Sequence, residues 1–272
     1  MLTETFRSIV HAARQVFTNW RAMALLAVVY AALLASLYFF VAVREASIAQ
    51  VTLTFALAIA APLLFFVLQS MVANQTDETT AGLLLKRSLT SFWKLILISL
   101  PLIALAILIW YLLARAQNHF WQNPELAINA PHPLAANAQH AARPIDWKVA
   151  LFSTLRYLSF GLVLPLAAIH LWLATVRDGL AGATKKVATL LSRAFAPQSV
   201  LTYVAGFLIF AVVPYFLLFK TTQTKHAWLE LSLLVGRLVV VFALTLLGWV
   251  TTVRALGLLS TNPPAEPANE AT

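Results

Sequence analysis

Charge is almost absent from six long stretches of this chain and stands at their ends. Between Arg21 and Arg44 lie 22 uncharged residues. Arg44-Glu45 and Asp77 bracket a second uncharged run, residues 46–76, whose apolar part is 51–73. Lys94 and Arg115 enclose 20 residues, and so do Arg156 and Arg177. A fifth run covers 194–219, and the sixth, 231–253, holds a single charge, Arg237, before Arg254. A helix rises about 1.5 Å per residue, so about 20 residues cross the hydrocarbon core. Lipid offers no partner to backbone amides, which leaves helices or closed barrels as the only spanning structures. The runs lack the alternation of barrel strands. They predict six transmembrane helices, hence an all-α polytopic membrane protein.

Composition agrees. Only 11% of the residues are charged and 61% are hydrophobic. A soluble domain carries about 25% charged residues, and a disordered chain is poor in apolar ones. Both classes are excluded. The first apolar run is too long for the core of a cleavable leader and ends without a cleavage pattern, so the N-terminus is expected to be mature as written.

The distribution of Lys and Arg sets an expected orientation. One side collects 11 of them, among them Arg7, Arg14 and Arg21 before the first span, and the other side collects 8. Positive residues favour the cytoplasm and the first helix often dominates, so both termini are placed there, in the inner membrane. Trp20 and Trp93 fall at inner span ends, Trp110 and Trp228 at outer ones, as interfacial anchors do.

The inner segments carry a pattern of their own. Before span one, Phe6, Ile9, Val10, Ala13, Phe17 and Trp20 recur at helical spacing, opposite Arg7, His11, Arg14, Gln15 and Thr18. Before span three, Leu84, Leu85, Leu89, Phe92 and Trp93 oppose Lys86, Arg87, Thr90 and Ser91. Before span five, Val187, Leu190, Leu191, Ala194 and Phe195 oppose Lys185, Lys186, Thr189 and Ser192. Each reads as a basic amphipathic helix lying in the membrane surface. The segment 13–21 can be laid over 86–94, with Arg193 at a similar distance from span five. Spans two and four align through Pro62 with Pro165, and through Asn74-Gln75 with Arg177-Asp178. The expectation is a single domain over residues 1–260 built as three hairpins, each preceded by an in-plane helix. The threefold repeat units are about 3–73, 79–176 and 180–259, and a disordered tail follows over 261–272.

A basic amphipathic helix, then Trp-Arg or Trp-Lys, then a span resembles a broad, poorly characterised group of bacterial six-span proteins. It is also similar to the membrane domain fused to some glycerophosphodiester phosphodiesterases. The resemblance covers most of the chain through motifs of low specificity. The catalytic domain of those enzymes has no counterpart here, so the resemblance implies a membrane-embedded accessory and not their activity.

Several chemistries are not supported. With no cysteine there is no thiol nucleophile, disulfide or thiolate metal site. Neither a phosphate-binding lysine loop nor a dinucleotide glycine fingerprint is present. No Asp or Glu falls inside an apolar run, which weighs against cation-coupled transport through membrane carboxylates. The outer loop 116–148 contains His119, His132 and His140, but their spacing matches no zinc pattern. No cofactor or metal is therefore expected. The net charge of +9 sits largely on the inner helices, where it serves anionic lipid and does not call for nucleic acid.

Three intramembrane polar residues are candidates for a site. His170, in the inner half of span four, is either a general base or a neutral histidine hydrogen-bonded across helices, with Gln69 of span two a candidate partner. Arg237 is either an outer-side anion site or a side chain that snorkels to the outer headgroups, and the second reading is preferred. Pro62, Pro101, Pro165 and Pro214 interrupt four spans. The alanines at 24, 27, 31 and 35, and at 56 and 60, form small faces suited to close helix packing. Arg14, Arg87, Lys185, Lys186 and Arg193 are the candidate contacts to anionic lipid.

The function expected from these residues is non-enzymatic: organising lipid or a membrane complex. The alternative is a transporter for a small solute or lipid, with a path along spans two and four lined by Pro62, Pro165, Gln69 and His170. The expected partners are membrane lipids, anionic on the cytoplasmic side, and a second copy of the chain or another membrane protein.

Overall fold

The computed structural model describes residues 2–43, 47–75, 80–121, 147–219 and 227–261. The inner part of the outer loop, with His132 and His140, and the tail after 261 lie outside the described residues. Everything regular among the described residues is helical. The helices are α1 (Leu2–Thr18), α2 (Trp20–Ala42), α3 (Ile48–Asn74), α4 (Ala81–Trp121), α5 (Trp147–Leu158), α6 (Leu164–Lys185), α7 (Val187–Ala194), α8 (Pro197–Phe207), α9 (Val213–Phe219) and α10 (Ala227–Thr261). π-helical turns at Ser159–Val163 and Leu208–Val212 join α5 to α6 and α8 to α9. Six stretches are long and apolar enough to cross a membrane: Trp20–Ala42, Ile48–Asn74, Ala81–His119, Ala150–Lys185, Pro197–Phe219 and Trp228–Ser260. The chain is an all-α polytopic membrane protein.

The three inner segments are built differently. Before span one, the helix breaks at Asn19, whose φ of −101° and ψ of 64° leave the helical region. The Asn19 side chain accepts a hydrogen bond from the Ala22 amide at 3.3 Å and so caps α2. Before span five, α7 ends at Ala194, Ala196 is extended, and Pro197 opens α8 at a position that needs no amide. Before span three there is no break: the basic segment and the span form one helix of 41 residues. Phe92 stands where the alignment puts Asn19, and it offers no acceptor to start a new helix. Its polar neighbours turn back onto their own helix, Ser88 to the Leu84 carbonyl at 2.7 Å and Thr90 to the Arg87 carbonyl at 2.8 Å. Asn19→Ala is expected to cost about 1 kcal/mol of α2 stability. Hydrogen exchange at the Ala22 amide should then quicken about fivefold. Unchanged exchange would mean that the Met23-to-Asn19 backbone bond suffices to hold the first turn.

The prolines divide into two kinds. Pro62 and Pro101 sit within α3 and α4. Pro165 and Pro214 each stand two residues after a π turn. Proline lacks an amide hydrogen and crowds the carbonyl four residues back. Those carbonyls belong to Gly161 and Phe210, inside the two π turns, where the wider coil makes room.

Contacts group the chain into residues 1–98 with 166–272, and residues 99–165. In the first group α2 packs along α3, α1 lies against α8 and α10, and α10 packs on α3 and α8. The face that α2 buries is Ala22, Leu26 and Leu33. Ala24, Ala31, Ala35 and Ala56 are exposed while Ala27 and Ala60 are half-buried, so most of the alanines read as small faces turn outward in the single chain. Two glycines let α8 and the π turn after it approach α10 closely. A Cβ on Gly206 of α8 would fall 2.8 Å from Thr252 Cβ of α10, and one on Gly248 would fall 2.8 Å from Phe210 Cβ. Tyr30 joins α2 to α10 through a hydroxyl pair with Thr245 at 2.9 Å. In the second group Arg156 donates to Gln117 Oε1 at 3.0 Å, and its guanidinium lies 4.7 Å from the Trp110 ring centroid. This cation therefore has local partners.

Candidate functional site

Two polar regions stand out in the first contact group. One lies within spans two, four and six. Gln69 on α3 and His170 on α6 are both buried, with 4% and 3% of their surfaces exposed. They do not bond to each other. Gln69 Oε1 accepts from the Trp249 indole of α10 at 3.0 Å, a partner 180 positions away that the sequence did not point to. His170 Nδ1 donates to the Leu166 carbonyl one turn back at 2.9 Å, which fixes the tautomer of the neutral ring. Trp249 also meets Phe210 edge to face, ring centroids 5.3 Å apart. Trp172, beside His170, meets Phe65 and Phe66 of α3 in the same manner. Here polar groups are spent on helix packing, the role amides and rings commonly take in membrane bundles. Pro62, a candidate lining residue of the transport path, is exposed. Arg237 belongs to neither region: it is half-buried and partnered, and stands 12 residues before Trp249 on α10, about 18 Å along the axis.

The second region lies where spans two, four and six end beside α1. A cavity of about 420 Å³ opens there. Its polar lining is Gln15 of α1, Asn74 and Gln75 at the end of α3, Arg87 of α4, Arg177 of α6 and Arg254 of α10, with Ser260 at the rim. Apolar walls come from Val72, Leu173 and Leu258. Among the described residues no Asp or Glu lines it. Arg254 is held in place by Gln15, whose Oε1 accepts from its Nε at 2.9 Å. Arg177 is held by Asp178 at 2.9 Å, a carboxylate that also takes Lys186 at 3.2 Å. The Arg87 guanidinium is exposed and makes no hydrogen bond or ion pair among the described residues. Gln75 is 7% exposed, and its buried Oε1 has no partner among the described residues. The helix carrying Arg177 turns immediately afterwards at Gly179, whose φ of 74° and ψ of 173° suit glycine almost alone.

No family model matches the chain, and neither does any curated protein or solved structure.

Of the five cations read as lipid contacts, Arg87 faces this cavity as well as solvent. Arg14, Lys185, Lys186 and Arg193 are exposed. Arg193 approaches the Ser260 carbonyl at 3.5 Å. Gln15, Gln75, Arg177 and Arg254 were not singled out as site residues from the sequence. One signal did point to two of them, Gln75 and Arg177: the alignment of spans two and four places Asn74-Gln75 opposite Arg177-Asp178, a polar pair ending each span.

Proposed function

We propose that this protein is a non-enzymatic component of the cytoplasmic membrane that gathers anionic lipid at its inner face. One observation carries the reading. The helices at that end have a buried face and an exposed cationic face: Ala12 and Val16 are buried while Arg14 is exposed, Leu84 is buried while Lys86 and Arg87 are exposed, and Leu190 and Ala194 are buried while Arg193 is exposed. Large apolar residues flank the cations and are also exposed: Phe17 and Trp20, Leu89 and Trp93, and Phe195. A side chain set of this kind fits the headgroup layer, with cations toward phosphate and rings toward the acyl boundary. In this reading the prefixes before spans one and five form a cytoplasmic collar of in-plane amphipathic character, and the prefix before span three, continuous with its span, adds its cations at the same end as the remnant of a threefold repeat. The bundle carries that collar, alone or with a second copy or another membrane protein. The likeness to membrane domains attached to lipid-processing enzymes is in keeping with such an accessory role.

Each Lys or Arg near an anionic surface contributes about 1 kcal/mol. Changing Arg14, Lys185 and Arg193 together to Gln is expected to lower crosslinking of α1 and α7 to photoactivatable phosphatidylglycerol in proteoliposomes by about fivefold or more. Crosslinking to phosphatidylcholine should stay the same. Equal phosphatidylglycerol yields in parent and variant would remove the reading.

A further inference from the structure

We infer that the cavity at the inner ends of spans two, four and six is a binding site for one phosphate ester whose alcohol portion carries hydrogen-bond donors. The inference deepens the lipid reading above and rests on it for orientation, but it concerns a discrete pocket and not the collar surface. Three guanidiniums converge on the space, from α4, α6 and α10. Asp178 is the carboxylate bonded to one of them, Arg177, and it is shared with Lys186. Arg87 projects into the region with no partner among the described residues. Guanidiniums pair with phosphate through two parallel hydrogen bonds, and among the described residues no carboxylate lines the cavity to compete for them.

An amide specifies the rest of the ligand. Asn74 gives its Nδ2 to the Ser70 carbonyl at 2.8 Å, which leaves its side-chain oxygen to accept. Gln75 also lines the space, but its Oε1 is closed off from it. Arginines on one side and the Asn74 amide oxygen on the other therefore fit an anionic phosphate joined to a hydroxyl-bearing group. The volume of about 420 Å³ accepts a headgroup. Val72, Leu173 and Leu258 provide the apolar wall along which the acyl end of a lipid would leave.

Native mass spectrometry of the full chain, released from detergent after equilibration with phosphatidylglycerol, tests the site. The expected result is one phosphatidylglycerol retained per chain at concentrations where phosphatidylcholine, which lacks hydroxyl donors, is lost. Arg87→Gln should weaken retention about tenfold, as loss of a charged hydrogen bond predicts. Leu258→Trp, which fills the space without touching a charge, should do at least as much. Both variants should remain monodisperse, because Arg87 is exposed and Leu258 is only half-buried. The collar variant with Arg14, Lys185 and Arg193 changed should keep the single tight lipid while shedding looser ones. Inorganic phosphate that displaces the lipid at millimolar concentration would assign the site to free phosphate and overturn the ester; no displacement supports the ester. Equal retention of phosphatidylglycerol in the two cavity variants and the parent would overturn the pocket. If the collar variant still lost crosslinking, the broader reading would stand without it.

Discussion

Gly206→Val is expected to separate α8 from α10 and to be among the most damaging single changes in this bundle. A Cβ at Gly206 meets Thr252 Oγ1 and lies 2.8 Å from Thr252 Cβ, well inside van der Waals contact. Thr252 cannot swing away. It is buried, it is β-branched and so stiff at χ1, and its hydroxyl donates to the Gly248 carbonyl at 2.6 Å. The helices must move apart instead, and Tyr203 and Ser199, buried on the same face of α8, lose contact with them. Overpacking of this kind costs about 1–3 kcal/mol, and backbone displacement puts this site near the top of that range. Reversible unfolding in bicelles by steric trapping would measure it. The pair Gly206→Val with Thr252→Gly carries the same side-chain bulk across the interface from the other helix, and should recover most of the loss. Failure of the pair to recover would show that the glycine serves backbone conformation and not close approach.

Trp249→Ala is the second. The indole holds two elements at once, Phe210 through its ring and Gln69 through its N–H. Truncating a core tryptophan costs about 3–5 kcal/mol, and half-burial places this one near the lower bound. Trp249→Phe keeps most of the ring and removes only the hydrogen bond, which in a membrane bundle contributes about 0.6 kcal/mol on average. Steric trapping of both variants should therefore separate ring packing from polar pairing. If the two lose equal stability, the hydrogen bond to Gln69 outweighs the packing of the ring. Gln69 would then lose its partner in both, and the buried amide would govern the junction of spans two and six.

The six spans were legible because the rule behind them is about length and charge, quantities a sequence displays directly. Arg21, Arg44, Lys94, Arg115, Arg156, Arg177 and Arg254 stand near span ends because lipid excludes them. Pairing was not legible. Gln69 looked like a partner for His170 because both are polar residues late in aligned spans, but hydrogen bonds in a bundle depend on helix rotation, which the spacing of polar residues in an apolar run does not fix. His170 took the carbonyl one turn back, an option open to a histidine in any helix. The alanine faces left a related question open, because a small face suits a neighbour within the bundle or in a second copy. Close approach was delivered by Gly206 and Gly248, whereas Ala24, Ala31 and Ala35 stayed exposed. The three inner prefixes looked equivalent by charge pattern, yet Asn19 and Pro197 each start a new helix and Phe92 does not. That difference was present in the sequence as capping chemistry. The cavity was hidden because Arg87, Arg177 and Arg254 lie far apart in the chain and only folding gathers them with Gln15 and Gln75.

The π turn in span five has a consequence for phase. On α8 the buried residues Ser199, Thr202, Tyr203 and Gly206 define one face. Two regular turns beyond Gly206 arrive close to residue 213. One extra residue in the coil moves that point to 214, and Val213 is 44% exposed while Pro214 is buried. The turn at Leu208–Val212 thus rotates everything after it by about 100° relative to a uniform helix. In this span the count of residues, as much as their chemistry, decides which side chains meet lipid. A chain one residue shorter there would keep its hydropathy profile and present a different surface.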